Sequence, residues 1–251
     1  MSTADESLRS ELESYARANG ADLFGIADLT PARDFITQFG GAFLAGFPRS
    51  VALAVKTSST VVDMLPHRKD LVEHRTVLQT YKAHTDLVGE RLEQISAGLV
   101  DILERAGFRA FPIFRGRVDE EHLAGAFSQK LGAHLAGLGW IGKNCLFVNP
   151  KLGPRLRLAN VLTDAPLACG SPMQDQCGEC RLCVDICPAK AFTGASFNSA
   201  EPREARFNAY LCTEYNLKEL ALMGVQSRAA PANACGLCLY VCPYGKNRSS
   251  R

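Results

Sequence analysis

Long apolar runs, net charge and tryptophan are what this sequence has least of. No stretch of its 251 residues is apolar and long enough to cross a bilayer. With 28 Lys and Arg against 26 Asp and Glu, the formal charge is +2. That is too small to hold a nucleic acid by bulk electrostatics. The pairs Arg115/Arg117 and Arg155/Arg157 are local exceptions, open to a phosphate or simply solvated. Residues 1–6 are polar and acidic, unlike the basic start of an export signal, and no twin-arginine leader follows. The expectation is a soluble cytoplasmic protein with no membrane partner. There is one tryptophan, Trp140, and neither a long repeat nor a low-complexity linker.

Cysteine, by contrast, is abundant, and eight of the ten fall into two runs. The first is Cys177-x2-Cys180-x2-Cys183-x3-Cys187-Pro188. The second is Cys235-x2-Cys238-x3-Cys242-Pro243, with Cys212 upstream. The run C-x2-C-x2-C-x3-C-P marks bacterial 4Fe–4S ferredoxins, in which the fourth cysteine ligates the other cluster. That crossover assigns Cys177, Cys180, Cys183 and Cys242 to one cluster. It assigns Cys235, Cys238, Cys187 and Cys212 to the other, Cys212 replacing the missing third leading cysteine. Paired zinc sites are the alternative, since C-x2-C also serves Zn²⁺, but two C-x3-C-P endings are rare there. Disulfides fit less well in a chain without an export signal.

The remainder alternates between helix and strand. Thr3-Ala4-Asp5-Glu6 has capping-box spacing; Leu8, Leu12 and Tyr15 follow at helical intervals, and Gly20 is the stop. Residues 21–27 and 50–55 read as buried strands, separated by a Gly/Phe-rich loop over 40–48. Residues 71–106 read as a helix with Val88, Leu92, Ile95, Leu99 and Ile102 on one face, ended by Gly107. Residues 108–114 read as an edge strand because of Pro112. Residues 123–135 read as a helix, and 144–148 and 156–162 as strands about a turn at 149–153. The pattern predicts an α/β or α+β domain over 1–165 and a loop-rich cluster module over 166–251.

Gly137, Leu138, Gly139, Trp140, Ile141, Gly142, Lys143 and Asn144 form a second informative segment. It follows a helix, not a strand, and has neither P-loop nor dinucleotide spacing. Its three glycines suit a ligand-contacting loop or a tight structural turn equally.

AGLGWIGKN, the segment ending Val161-Leu162-Thr163-Asp164-Ala165-Pro166-Leu167, and CGECRLCVDICPAKAFTG together resemble the epoxyqueuosine reductase family and its shorter homologues. That family is related to the reductive dehalogenases, and the resemblance runs from GADLFGIADL to Pro243. It implies an α+β chain, with a nitroreductase-like, corrinoid-binding α/β domain followed by a ferredoxin-like double-cluster module. It implies that two 4Fe–4S clusters feed a base-off cobalamin lined by Gly137–Asn144, which reduces the substrate. In the parent family that substrate is an epoxide on a tRNA base. Full-length members continue into a helical-repeat domain that helps hold tRNA, whereas this sequence stops nine residues after Cys242. A tRNA substrate is therefore doubtful. A small molecule, a modified nucleoside or a corrinoid protein takes its place, with a flavodoxin- or ferredoxin-type electron donor.

The family's acidic proton donor lies in a V-D-x-A-P-like stretch. The nearest equivalent is Val118-Asp119-Glu120-Glu121, which makes Asp119 the first candidate and Glu121 and His122 the next. A solvated acidic turn is the plainer reading of the same residues. Tyr81 and His84 lie where the family's corrinoid-facing helix runs. Cys145 reads as a buried structural thiol, and Cys169 is surplus to two complete ligand sets. A non-catalytic electron carrier, or an activator that reduces a partner's corrinoid, is the alternative function.

Overall fold

The computed structural model describes residues 3–113, 116, 119, 121–222, 224 and 235–246; Arg115, Arg117, Val118 and Glu120 lie outside them. Helix α1 (Thr3–Ala18) carries Asp5 and Glu6 in its first turn, where they favour the helix dipole, and stops before Gly20 at φ +97°. Strand β1 (Leu23–Asp28) leads through a 3₁₀ turn (Thr30–Ala32) into α2 (Arg33–Ala45). Helix thus occupies much of the stretch expected to be a loop over 40–48, with Gly41 at φ +75° as a kink inside it. Strand β2 (Arg49–Lys56) precedes a short α3 (Ser59–Asp63), whose cap Ser58 accepts a hydrogen bond from Val61 N. Helix α4 (Leu71–Arg105) is capped by Asp70, whose Oδ1 accepts from the N–H groups of Val72 and Glu73 at 2.8 and 2.9 Å. Then come β3 (Ala110–Pro112), α5 (Gln129–Leu135), β4 (Trp140–Ile141), β5 (Phe147–Val148), β6 (Leu156–Thr163), α6 (Leu182–Asp185), α7 (Ala209–Leu222) and α8 (Leu237–Tyr240).

Three expected elements are shorter than their sequence pattern, and among the described residues of 108–114 only Ala110–Pro112 is strand. Only 129–135 of the stretch 123–135 is helical. Asp119 and Ala124 exchange backbone hydrogen bonds of 3.1 and 3.0 Å around a turn in which Leu123 adopts φ +50°. The apolar residues before Ser128 therefore close a loop. Of 144–148, only Phe147 and Val148 are strand. Cys145, at φ +53°, donates its N–H to Gly142 O, so the preceding residues form a turn.

The chain forms two compact units, each assembled from separate stretches. The first comprises 1–55, 89–140 and 157–174, and the second 56–88, 141–156 and 175–251. The first unit is built on the strand order β1-β2-β6-β3, with β1 antiparallel to β2 and β3 antiparallel to β6. Pro112, which donates no ladder hydrogen bond, sits on the edge strand. Leu92, Ile95, Leu99 and Ile102 of α4 are buried here with Leu12 and Ala16 of α1. Ser50 Oγ donates to Asn160 Oδ1 at 2.9 Å, and Asn160 Nδ2 donates to Gln129 O at 3.1 Å, which ties α5 to the sheet.

The second unit has its own apolar core of Val62, Leu65, Leu78, Tyr81, Leu220 and Leu239. Tyr81 belongs to this core, and His84 Nε2 accepts from Ser58 N at 2.8 Å. Both residues serve α3 and α4 packing.

Candidate metal centre

Short helices in the second unit present the cysteines. Leu182 and Val184 begin and continue α6 between Cys180 and Cys187, and α8 spans Cys238. Such one-turn helices leave most backbone N–H groups unpaired by the helix itself, which suits a group rich in sulfur acceptors. None of the ten cysteines is in a disulfide.

Cys177, Cys180, Cys183 and Cys242 line one hollow, together with Leu182 and Tyr244. The Cys183 thiol is pushed up to about 11 by burial, with Cys177 and Cys180 adding to it. Burial pushes Cys242 up to about 12, with contributions from Cys177, Cys183 and Cys180. Cys238 belongs to the other neighbourhood. Its thiol is raised by burial, then by Cys235, Cys212, Cys187 and Cys183. The fourth cysteine of each run is thus found with the other run. Thiols this resistant to ionisation are poor nucleophiles; a bound cation is what turns them into thiolates.

Backbone anchors fix both sets. Asn216, buried on α7, donates through Nδ2 to Cys212 O at 2.7 Å and accepts from Cys235 N at 3.0 Å. It therefore joins the outlying Cys212 to its run. Arg68 donates to Cys235 O at 2.8 Å, and Asp175 accepts from Cys177 N at 2.8 Å. Sequence spacing gives no sign of Asn216 or Arg68, because both act across the fold and not within a motif. Arg155 is fully buried and pairs through Nη2 with Asp63 at 2.7 Å, while its Nε and Nη1 find no hydrogen-bond partner. The same Nη2 reaches the carbonyl of Tyr240, midway between Cys238 and Cys242, at 3.4 Å. A buried cation with idle N–H groups is costly unless negative charge lies nearby. Clusters on cysteine thiolates bring that charge, and the residues present fit two of them.

The glycine-rich segment is divided between the units. In the first, Gly137 at φ +75° lies so close to Ser171 that a Cβ would stand 2.5 Å from its carbonyl oxygen. At Gly170 a Cβ would stand 2.2 Å from Ala136 O. Leu138 and Gly139 follow, the latter accepting from His134 Nδ1 at 3.2 Å, and Trp140 is 1 % exposed. In the second unit Ile141, Gly142 and Asn144 are buried. A Cβ on Gly142 would lie 3.5 Å from Cys177 Sγ. Lys143 Nζ donates to Gly178 O at 2.5 Å, and Asn144 Nδ2 to Cys238 O at 3.3 Å. The clearances and polar atoms of these residues are taken up by protein and by the cysteine loops. They do not fit as the lining of a corrinoid.

The acidic candidates lie in the turn that the Asp119–Ala124 bridge closes in the first unit. Asp119 Oδ1 accepts from His122 N at 2.8 Å, and Oδ2 meets His122 Nδ1 at 2.7 Å. The His122 backbone N–H, foremost, holds the Asp119 carboxyl below the usual carboxylate range. Asp119 is therefore an ionised acceptor at neutral pH, fixed by the His122 backbone and ring. Glu121 is exposed beside them.

Residues 176–245 match the 4Fe–4S double cluster binding domain. The sequence is 34% identical over 127 residues to the epoxyqueuosine reductase of Staphylococcus aureus, covering 49% of this chain and 30% of that protein. Among solved structures, an epoxyqueuosine reductase with an epoxyqueuosine-modified tRNA-Tyr stem loop aligns with a TM-score of 0.61 and 20% identity, over 96% of this chain and 66% of the other. A reductive dehalogenase described in terms of B12-dependent dehalogenation aligns with a TM-score of 0.66 and 18% identity, over 95% and 32% of the two chains. The chain thus resembles epoxyqueuosine reductases in sequence and shares the fold of both groups. It spans only 30% to 40% of the first curated relatives' length. Among the described residues no helix is long and apolar enough to cross a membrane.

Proposed function

We propose that the chain is an epoxyqueuosine reductase-like iron–sulfur oxidoreductase. It holds one 4Fe–4S cluster on Cys177, Cys180, Cys183 and Cys242, and a second on Cys187, Cys212, Cys235 and Cys238. The observation that carries the reading is the gathering of Cys242 with the first run and of Cys187 with the second. On this reading the second unit, comprising 56–88, 141–156 and 175–251 and not 166–251 alone, is the electron-transfer module, fed by a flavodoxin- or ferredoxin-type donor, and the first unit holds the electron acceptor. Likeness to a B12-dependent fold supports base-off cobalamin as that acceptor. When bound, it would supply a low-valent cobalt for reductive chemistry. Residues 137–144 do not fit as its lining. Proton delivery falls to His122, held by Asp119 with Glu121 beside it. The substrate is a small molecule or modified nucleoside.

A second reading, an electron carrier or a corrinoid-reducing activator of a partner protein, is favoured by one observation. The segment expected to line a cofactor instead packs on the cysteine loops and on Ser171.

Anaerobic purification and reconstitution with cobalamin separates the readings. About eight iron per chain is expected of two cubanes. Retained cobalt with a base-off spectrum supports the reductase. Iron without cobalt supports the carrier, and a chain that takes up zinc in place of iron overturns both.

A further inference from the structure

We propose that Arg68, Glu219 and His74 form a proton-linked charge relay behind the second cysteine set, so that His74 takes up a proton when the cluster held there gains an electron. The inference rests on the two-cluster reading and assigns these residues a role in it.

Arg68 is fixed on three sides. Its Nε donates to Leu65 O at 2.7 Å, Nη2 to Cys235 O at 2.8 Å and Nη1 to Glu219 Oε2 at 2.7 Å. Glu219 on α7 is only 5 % exposed, and the same Oε2 meets His74 Nε2 at 2.8 Å. A carboxylate only accepts, so Nε2 carries hydrogen, and an added proton goes to Nδ1. The His74 side chain keeps 16 % of its surface in solvent, which gives that proton a route in. Arg68 and Glu219 cancel in charge. Protonation of His74 therefore leaves one net positive charge behind Cys235, on a path of hydrogen bonds that ends at that residue's carbonyl.

The linkage is reciprocal: a positive charge that favours the reduced cluster is itself favoured by reduction. The balance is one electron from an external one-electron donor protein and one proton from water, with no other bond made or broken. The other groups around the pair do not take the proton. Tyr215 on α7 is pushed up to about 12 by burial, then by Glu219, and stays neutral. Arg75 donates to Leu222 O, and Glu73 accepts from Lys69 N, both on the histidine's own helix. The plain alternative is that the triad only clamps α4 to α7.

A redox titration of the anaerobically purified full chain, followed by electron paramagnetic resonance, distinguishes them. The titration runs between about pH 6 and about pH 9, where an imidazole changes charge. The signal that Cys212→Ser perturbs identifies the second cluster. Its midpoint is expected to fall with rising pH by up to a tenfold change in equilibrium per unit, which for one electron is 59 mV. In His74→Gln, which keeps a hydrogen-bond donor, the slope is lost; the first cluster's slope is the same in both proteins. Two clusters with a flat second midpoint, or a slope surviving in His74→Gln, overturns the relay alone. A chain that assembles only one cluster overturns the relay and the two-cluster reading together.

Discussion

Lys143 Nζ donates to the carbonyl of Gly178, thirty-five residues away and next to Cys177, at 2.5 Å. The positive charge therefore lies beside the first cysteine set. Lys143→Met is expected to keep full iron while lowering the midpoint of the first cluster only. The effect is about 1 kcal/mol or less, because the ammonium is partly solvated. Potentiometry on the two resonance signals checks it; equal shifts in both clusters would count against the assignment.

The two cysteine sets predict different fates for the ten thiols. Cys180→Ser and Cys238→Ser each lose iron and destabilise the second unit. Cys145→Ser and Cys169→Ser keep it, since the buried Cys145 sulfur accepts from Arg206 Nη1 at 3.8 Å and Cys169 lies exposed in the first unit. Iron analysis of anaerobically purified variants decides the point. Iron loss in Cys169→Ser equal to that in Cys180→Ser would refute the ligand sets.

Asn216 ties Cys212 to Cys235 through two backbone hydrogen bonds. Asn216→Leu leaves the partly buried Cys235 N–H without its acceptor, at a cost of about 1 kcal/mol. The expected result is a protein with about half its iron, retaining the first cluster's signal. Full iron content would show that Cys212 is positioned without Asn216.

The cysteine pattern was legible because a cubane demands sulfur at short, fixed spacing, and spacing survives in one dimension. The buried face of α4 was legible for the same reason: Leu92, Ile95, Leu99 and Ile102 repeat with the helix. What escaped depends on distance in space. Asn216 and Arg68 reach ligands from other elements. The 123–135 stretch looked helical by residue type, but the Asp119–Ala124 bridge holds its first part in a turn. The pairing of Asp119 with His122 was not legible either, because it depends on the fold of the turn that brings the imidazole back onto the carboxylate.

Arg109 and Asp164 pin the edge strand. Asp164 accepts from Arg109 N at 2.9 Å and from Nε at 2.6 Å. Burial raises this carboxyl, but the Arg109 side chain and backbone outweigh it, and the net lies below the ordinary value. A depressed carboxyl stabilises the fold above its unfolded-state value and loses that contribution as pH falls through the folded one. Asp164→Asn should therefore cost about 1 kcal/mol or less near neutrality, since both side chains are partly solvated. The gap between the two melting temperatures should close as the pH drops below about 4. A gap that persists in acid would mean that shape, not charge, holds the strand.

Gly137 offers the sharpest separation between a ligand loop and a structural turn. Its φ of +75° disfavours any side chain, and a Cβ would stand 2.5 Å from Ser171 O, a backbone atom that cannot swing away. Gly137→Ala should therefore destabilise the cofactor-free first unit by about 1–3 kcal/mol, from backbone strain and a forced shift of the segment around Ser171. Denaturant unfolding of cobalt-free protein, followed through the buried Trp140, measures this directly. If the glycine were kept for a ligand, the cobalt-free variant would unfold like the parent, and only cobalamin affinity would fall. A lowered midpoint without cobalamin present assigns the residue to the fold and directs the search for the acceptor's lining to other parts of the chain.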